Sequence, residues 1–209
     1  MIGSMMIQYP LTMLQEGTGD MEYELKSARY LAEDVLRRVI RPGDSVIDAT
    51  MGNGRDTLTL CEAVGPTGRV YAFDIQPRAV SAARERLREH QMLSRASLFC
   101  VGHQEMDAYV PVPVRAVVFN LGWLPGGDHS ITTRWETTRQ AVMKALAILQ
   151  PLGVLVVCAY PGHPEGDHER AGLTALLAGL SSRQYNVLHQ CFLNASPGAP
   201  ECFVVQKLS

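Results

Sequence analysis

Lysine is scarce in this chain: of 19 cationic side chains only Lys26, Lys144 and Lys207 are Lys, and the other 16 are Arg. Arg is the cation of planar, two-pronged contacts to phosphate and carboxylate, although a GC-rich genome produces the same skew. An excess of positive charge is also lacking. The net charge is −2, which excludes a protein that coats nucleic acid by bulk charge. No C-x-x-C pair occurs among Cys61, Cys100, Cys158, Cys191 and Cys202, and their number is odd. Four of them lie in apolar runs, where Cys behaves as a small hydrophobe. A reduced, cytoplasmic setting is therefore expected. Long apolar runs are missing too. The longest charge-free stretch, Ala145 to Pro164, is broken by Gln150, Pro151 and Gly153, so it splits into a helix end and a strand. The first basic residue is Lys26, so the N-terminal stretch lacks the features of a secretory or transit peptide.

What is present is the composition of a folded domain: 209 residues, 46% hydrophobic and 19% charged. Strand-like and helix-like segments alternate. Ala28 to Ile40 carry helical spacing, Ser45–Asp48 reads as a short buried strand, and Thr57–Val64 as a helix. Strands follow at Val70–Phe73, Ala96–Val101, Ala116–Phe119 and Val154–Ala159. Helices are expected after Pro77, over Ala141–Leu149 and around Leu173–Leu180, and two tail strands over Asn186–Leu193 and Cys202–Lys207. Five β–α alternations imply a parallel sheet with helices on both faces. The last two strands, joined only by a loop, must run antiparallel.

Three segments fall at expected strand ends, where such sheets bind ligands. The first is Asp48-Ala49-Thr50-Met51-Gly52-Asn53-Gly54-Arg55-Asp56-Thr57. Its glycines let the backbone approach a ligand, and the helix that follows offers free N–H groups. It lacks the third glycine of the dinucleotide fingerprint, which disfavours a nicotinamide dehydrogenase. Asp48, closing a buried strand, needs an ammonium or hydroxyl partner. The second is Phe73-Asp74-Ile75-Gln76, whose carboxylate can accept two ribose hydroxyls or start the next helix. Together these two point to an adenosine-containing cofactor. The third is Phe119-Asn120-Leu121-Gly122-Trp123-Leu124-Pro125-Gly126-Gly127-Asp128, a run suited to orienting an amine toward a methyl donor, or else a long loop around a core Trp. His103-Gln104 follow the third strand, where such folds contact adenine, or read as a solvated loop. His163-Pro164-Glu165-Gly166-Asp167-His168-Glu169 reads as a loop over the site, because its prolines and glycine oppose a helical metal-ligand pair; no metal is expected. The run Arg84, Arg86 and Arg88 alternates with Glu85 and Glu89 and reads as a solvated helix face.

The first two motifs, the run Asn120 to Asp128 and Tyr160-Pro161-Gly162-His163 jointly resemble the bacterial rRNA methylase family, whose members include tRNA 5-aminomethyl-2-thiouridine methyltransferases. The likeness spans about residues 25–209, with residues 1–24 left as an N-terminal extension. It implies a single class I S-adenosylmethionine-dependent methyltransferase domain, Rossmann-like, with a mostly parallel seven-stranded sheet. The implied reaction is methylation of the aminomethyl nitrogen on the wobble uridine, position 34, in a tRNA anticodon loop. Three positions depart from the family pattern, which carries Tyr at Trp123, Lys at His129 and His at Arg55.

On that resemblance, Asp48, Thr50, Gly52, Asn53, Gly54, Asp56 and Thr57 are expected at the methionine end of the cofactor. Asp74, Ile75 and Gln76 fall at its ribose, His103 and Gln104 at its adenine, and Asn120, Leu121 and Gly122 beside the reacting methyl. Asn120 and Asp128 would orient or deprotonate the amine. Trp123, His129, Thr133, Tyr160 and His163 would meet the RNA, Trp123 by stacking. A homodimer would help so small a domain grip an anticodon stem. The alternatives are a small-molecule N- or O-methyltransferase and a catalytically silent nucleotide- or RNA-binding module. If some of Arg55, Arg78, Arg134 and Arg139 ring the strand ends, the Arg excess has a use there.

Overall fold

The computed structural model describes residues 28–209, so the extension expected over residues 1–24 lies outside the described residues. Seven strands form one sheet in the order β3-β2-β1-β4-β5-β7-β6. β1 (Ser45–Asp48), β2 (Arg69–Phe73), β3 (Ala96–Phe99), β4 (Val114–Asn120) and β5 (Leu149–Ala159) run parallel. β7 (Glu201–Lys207) inserts antiparallel between β5 and β6 (Tyr185–Gln190). The winding direction reverses between β1 and β4, leaving a crevice beyond their carboxyl ends.

Side chains of the central strands alternate between two cores, as a period of two requires. Ile47, Val117, Phe119, Leu155 and Val157 face one side with Ala141, Val142, Leu146, Leu173 and Leu177. Val46, Ala116, Val118, Val154 and Val156 face the other with Leu36, Leu60, Val64 and Leu87. Thus α1 (Ala28–Val39), α2 (Arg55–Val64) and α3 (Pro77–Glu89) cover one face of the sheet. The short α4 (Met106–Tyr109), with α5 (Trp135–Ile148) and α6 (Pro164–Ala178), covers the other.

The observed boundaries correct three expectations. α5 begins at Trp135, six residues before Ala141, because its first turns are polar and lack an apolar stripe. β5 begins at Leu149, which pairs with Val114 ahead of an irregularity in the ladder. The segment from Pro164 to Glu169 is the start of α6, not a loop. Proline is suited to a first helical position, where its missing N–H costs nothing. His163 caps this helix, its Nδ1 accepting from the Gly166 N–H at 3.2 Å.

Candidate active site

The loop leaving β1 is shaped by two glycines. Gly54 precedes α2 at φ 77, and a Cβ there would sit 2.7 Å from the Ala83 Cα of α3. Gly54 therefore serves the close helix packing that the missing third glycine serves elsewhere. The loop is also tied to β2: Met51 N–H donates to the Phe73 carbonyl at 2.9 Å, and Gly52 N–H to Asp74 Oδ2 at 3.0 Å. Asp74 Oδ1 accepts from Gln76 N–H at 2.8 Å. Burial raises the Asp74 carboxyl above its ordinary value, while these N–H groups pull it back.

Behind the loop, Asp48 is 1% exposed. Its oxygens accept from the Thr57 hydroxyl at 2.6 Å and from Thr50 N–H at 3.2 Å. Burial, then the negative charge of Asp56, pushes its carboxyl up to about 7.

Next to it, Asn120 at the end of β4 is held from three sides. Its N–H donates to Thr50 Oγ1 at 2.6 Å, its amide Nδ2 donates to Asp56 Oδ2 at 2.5 Å, and Tyr160 OH donates to its Oδ1 at 3.3 Å. Because a carboxylate only accepts, Asp56 dictates which way the amide points. Asp56 is itself bound by Arg29 at 2.8 Å. Burial pushes the Tyr160 phenol up to about 12, so it stays protonated and donates.

A cavity of about 810 Å³ lies at the strand ends. Thr50, Gly52, Asn53, Asp56, Asp74, Ile75, Gln76, His103, Gln104, Asn120, Leu121, Gly122, Trp123, Thr133, Tyr160 and His163 all reach its wall. Ile75 exposes 58% of its surface there. His103 is buried and its Nδ1 donates to the Ala49 carbonyl at 3.3 Å; burial pushes its imidazole down to about 4, so the ring is neutral. At the mouth, Trp123 stacks on His129 at 4.4 Å between ring centres and lies 4.5 Å from His163.

Asp48, Gly54 and Thr57 support the wall without forming it, and Asp128 and His129 also lie outside the lining. Asp128 sits on an exposed loop, where the Ser130 N–H at 2.9 Å holds its carboxyl below the ordinary range. The carboxylate that touches Asn120 is Asp56.

Sequence reasoning missed Arg29, Ala82, Arg86, Gly102, Ile131, Thr132 and Thr137 in the lining. Arg86 is not simply part of a solvated face: its Nε donates to the Asn53 carbonyl at 2.8 Å. Arg88, by contrast, pairs with Glu85. Of the four arginines singled out, Arg55 and Arg134 line the cavity. Arg78 lies beside the Gly127 segment and Arg139 is exposed on α5. Among the described residues, no group of three or more His, Cys, Asp or Glu is placed to hold a metal, and no helix is long and apolar enough to cross a membrane.

Comparison with known proteins matches a family model described as "Putative rRNA methylase" over residues 70–206. A chloroplastic tRNA (mnm5s2U34)-methyltransferase of Arabidopsis thaliana is 41% identical over 165 residues, 74% of this chain and 60% of that protein. The chain thus spans about three fifths of the length of that relative. A "putative rRNA-methylase" from Clostridium thermocellum superposes with a TM-score of 0.87 at 38% identity, covering 89% of this chain and all of the other. A "putative methyltransferase" from Streptococcus mutans, solved in complex with SAH, superposes with a TM-score of 0.81 at 34% identity, covering 88% and 99%.

Proposed function

The chain belongs to the rRNA methylase family, and on that premise we propose that it is an S-adenosylmethionine-dependent tRNA methyltransferase. Its acceptor in this reading is the aminomethyl nitrogen of 5-aminomethyl-2-thiouridine at wobble position 34. The observation that carries the reading is the Asn120 amide, oriented by Asp56 and Tyr160 on the wall of a cavity that continues into the glycine loop. The relative from Arabidopsis, named for mnm5s2U34, the product of such a transfer, supports the choice of acceptor.

The residues present fit an adenosine cofactor. Asp74 retains lone pairs after its two backbone contacts, Ile75 offers an exposed apolar face, and the neutral His103 stands with Gln104 at the far wall. Gly52 and Asn53 bring backbone to the methionine end, and Asp48 with Thr57 holds that loop from behind. When bound, S-adenosylmethionine supplies a methyl group on a positively charged sulfur. Asn120 Oδ1 accepts one N–H of the neutral amine and so aims its lone pair, and the Leu121–Gly122 backbone closes beside it. Alignment of this kind accounts for about 7–11 kcal/mol of barrier in favourable cases. Trp123, stacked on His129 and beside His163, is the platform for the base in this reading, the base taking the place of one of those rings. Arg55 and Arg134, charged and at the cavity wall, suit phosphates of an anticodon loop. A homodimer would extend that grip; the edge strand β6, whose Val187 and Leu188 are exposed on opposite faces of the sheet, supports it.

Transfer of a tritiated methyl group tests the reading. Label is expected in tRNA from cells lacking the modification and not in fully modified tRNA. Equal labelling of both, or none in either with cofactor bound, would refute it.

A further inference from the structure

Asp48 and Glu169 are the two acidic side chains buried to 1% exposure among the described residues, and only Asp48 belongs to the glycine loop. Glu169 lies on α6, outside the cavity wall. Its Oε2 accepts from the Thr133 hydroxyl at 2.7 Å and its Oε1 from the Thr138 hydroxyl at 2.5 Å. The Thr133 hydroxyl, with its hydrogen committed to Glu169, accepts from the Gly122 N–H at 2.7 Å. The Thr133 N–H returns a bond to the Gly122 carbonyl at 3.1 Å, and Trp123 bridges to Thr132. Gly122 itself stands at φ 110. The peptide that turns the chain from Asn120 to Trp123 is thus fixed by a directed relay, Gly122 to Thr133 to Glu169.

A buried carboxylate is an expensive way to fill space, since apolar side chains of similar volume usually do so at no loss of stability. What the carboxylate adds is direction, because it can only accept. We propose that Glu169 is a positioning residue for methyl transfer, acting through Thr133 to fix the Gly122–Trp123 turn that carries the base platform beside Asn120. This rests on the reading above for the reaction, but not for the geometry of the turn.

Glu169→Gln keeps the shape and presents an N–H to one of the two hydroxyls, reversing one bond. Glu169→Ala removes the acceptor, and Thr133→Val breaks the relay at its middle. With the two tryptophans of the chain carrying 5-fluoro labels, the 19F resonance of Trp123, assigned with Trp123→Phe, reports the turn, and circular dichroism reports the fold. In E169A the Trp123 resonance is expected to shift or broaden while the circular dichroism stays parental. SAH affinity by calorimetry should hold within about twofold. The kcat for tRNA should fall about 10- to 100-fold, the loss expected from a small misplacement of reacting groups. E169A combined with T133V should be no slower than T133V alone, as residues acting in series require.

A parental Trp123 resonance with parental kcat in folded E169A overturns the proposal, as does full additivity of the two losses. If E169A does not fold, Glu169→Leu, which keeps bulk and removes both acceptors, carries the test. If the parent transfers no methyl to tRNA, the functional reading fails separately, and the resonance alone decides whether Glu169 sets the turn.

Discussion

Replacing Asp48 by Asn isolates the cost of a buried carboxylate at the site. Oδ1 can keep the bond from Thr50 N–H, and the new amide nitrogen can donate to Thr57 Oγ1, whose hydroxyl reverses its role. The number of bonds is retained and only ionisation is lost. Asp48 is raised from 3.8 to about 7 in the folded state, so between those values the folded protein holds a proton that the unfolded chain has released. Stability contributed by this group is therefore full below about pH 4, falls as pH rises, and is level above about 7. Each pH unit inside that window is worth about 1.4 kcal/mol, so the parent loses about 3 kcal/mol between pH 5 and pH 8 through Asp48. D48N loses none of it. Urea denaturation followed by circular dichroism at both pH values measures the double difference, which cancels the other titrating groups. D48N is expected to gain on the parent by about 3 kcal/mol from pH 5 to pH 8. An unchanged difference would show that Asp48 ionises as an ordinary carboxylate and would refute the reasoning. Because Asp48 lies behind the wall, SAH affinity should change by less than about threefold in the same variant.

Asn120→Ala should lower kcat by about 100- to 1000-fold, the range for removing a preorganised polar group at a reacting centre, with SAH affinity held by calorimetry. Trp123→Ala should raise KM for tRNA, because base–aromatic stacking is worth about 1–3 kcal/mol; Trp123→Tyr should restore most of it. Gly54→Ala combines a left-handed backbone at φ 77 with a clash against Ala83, and should destabilise by more than about 1 kcal/mol in thermal unfolding.

The buried strands were the most legible part of the chain. Ser45–Asp48 matches its expected bounds, and Val154–Ala159 forms the buried part of β5, because fully covered strands are continuous apolar runs. Helix starts were not legible where the signal is polar. The Trp135–Gln140 turns show no stripe, and Pro164 looks like a breaker until it is seen to occupy a first helical position. In the site, residues adjacent in sequence at strand ends converge on the cavity, as topology demands. Glu169 reads in the sequence only as the end of a loop over the site, because Pro164 and Gly166 conceal the helix; the packing of α5 on α6 buries it against Thr133 and Thr138. Asp128 shows the opposite limit, since a string of glycines conceals which way the following acid points.

The central claim is the identity of the methylated atom. Undermodified tRNA incubated with the protein and S-adenosylmethionine bearing a deuterated methyl group, then digested to nucleosides, should yield 5-methylaminomethyl-2-thiouridine three mass units heavier than its unlabelled standard. Loss of 5-aminomethyl-2-thiouridine should match its gain. Deuterium in any other nucleoside, with the aminomethyl nucleoside undiminished, would contradict the account.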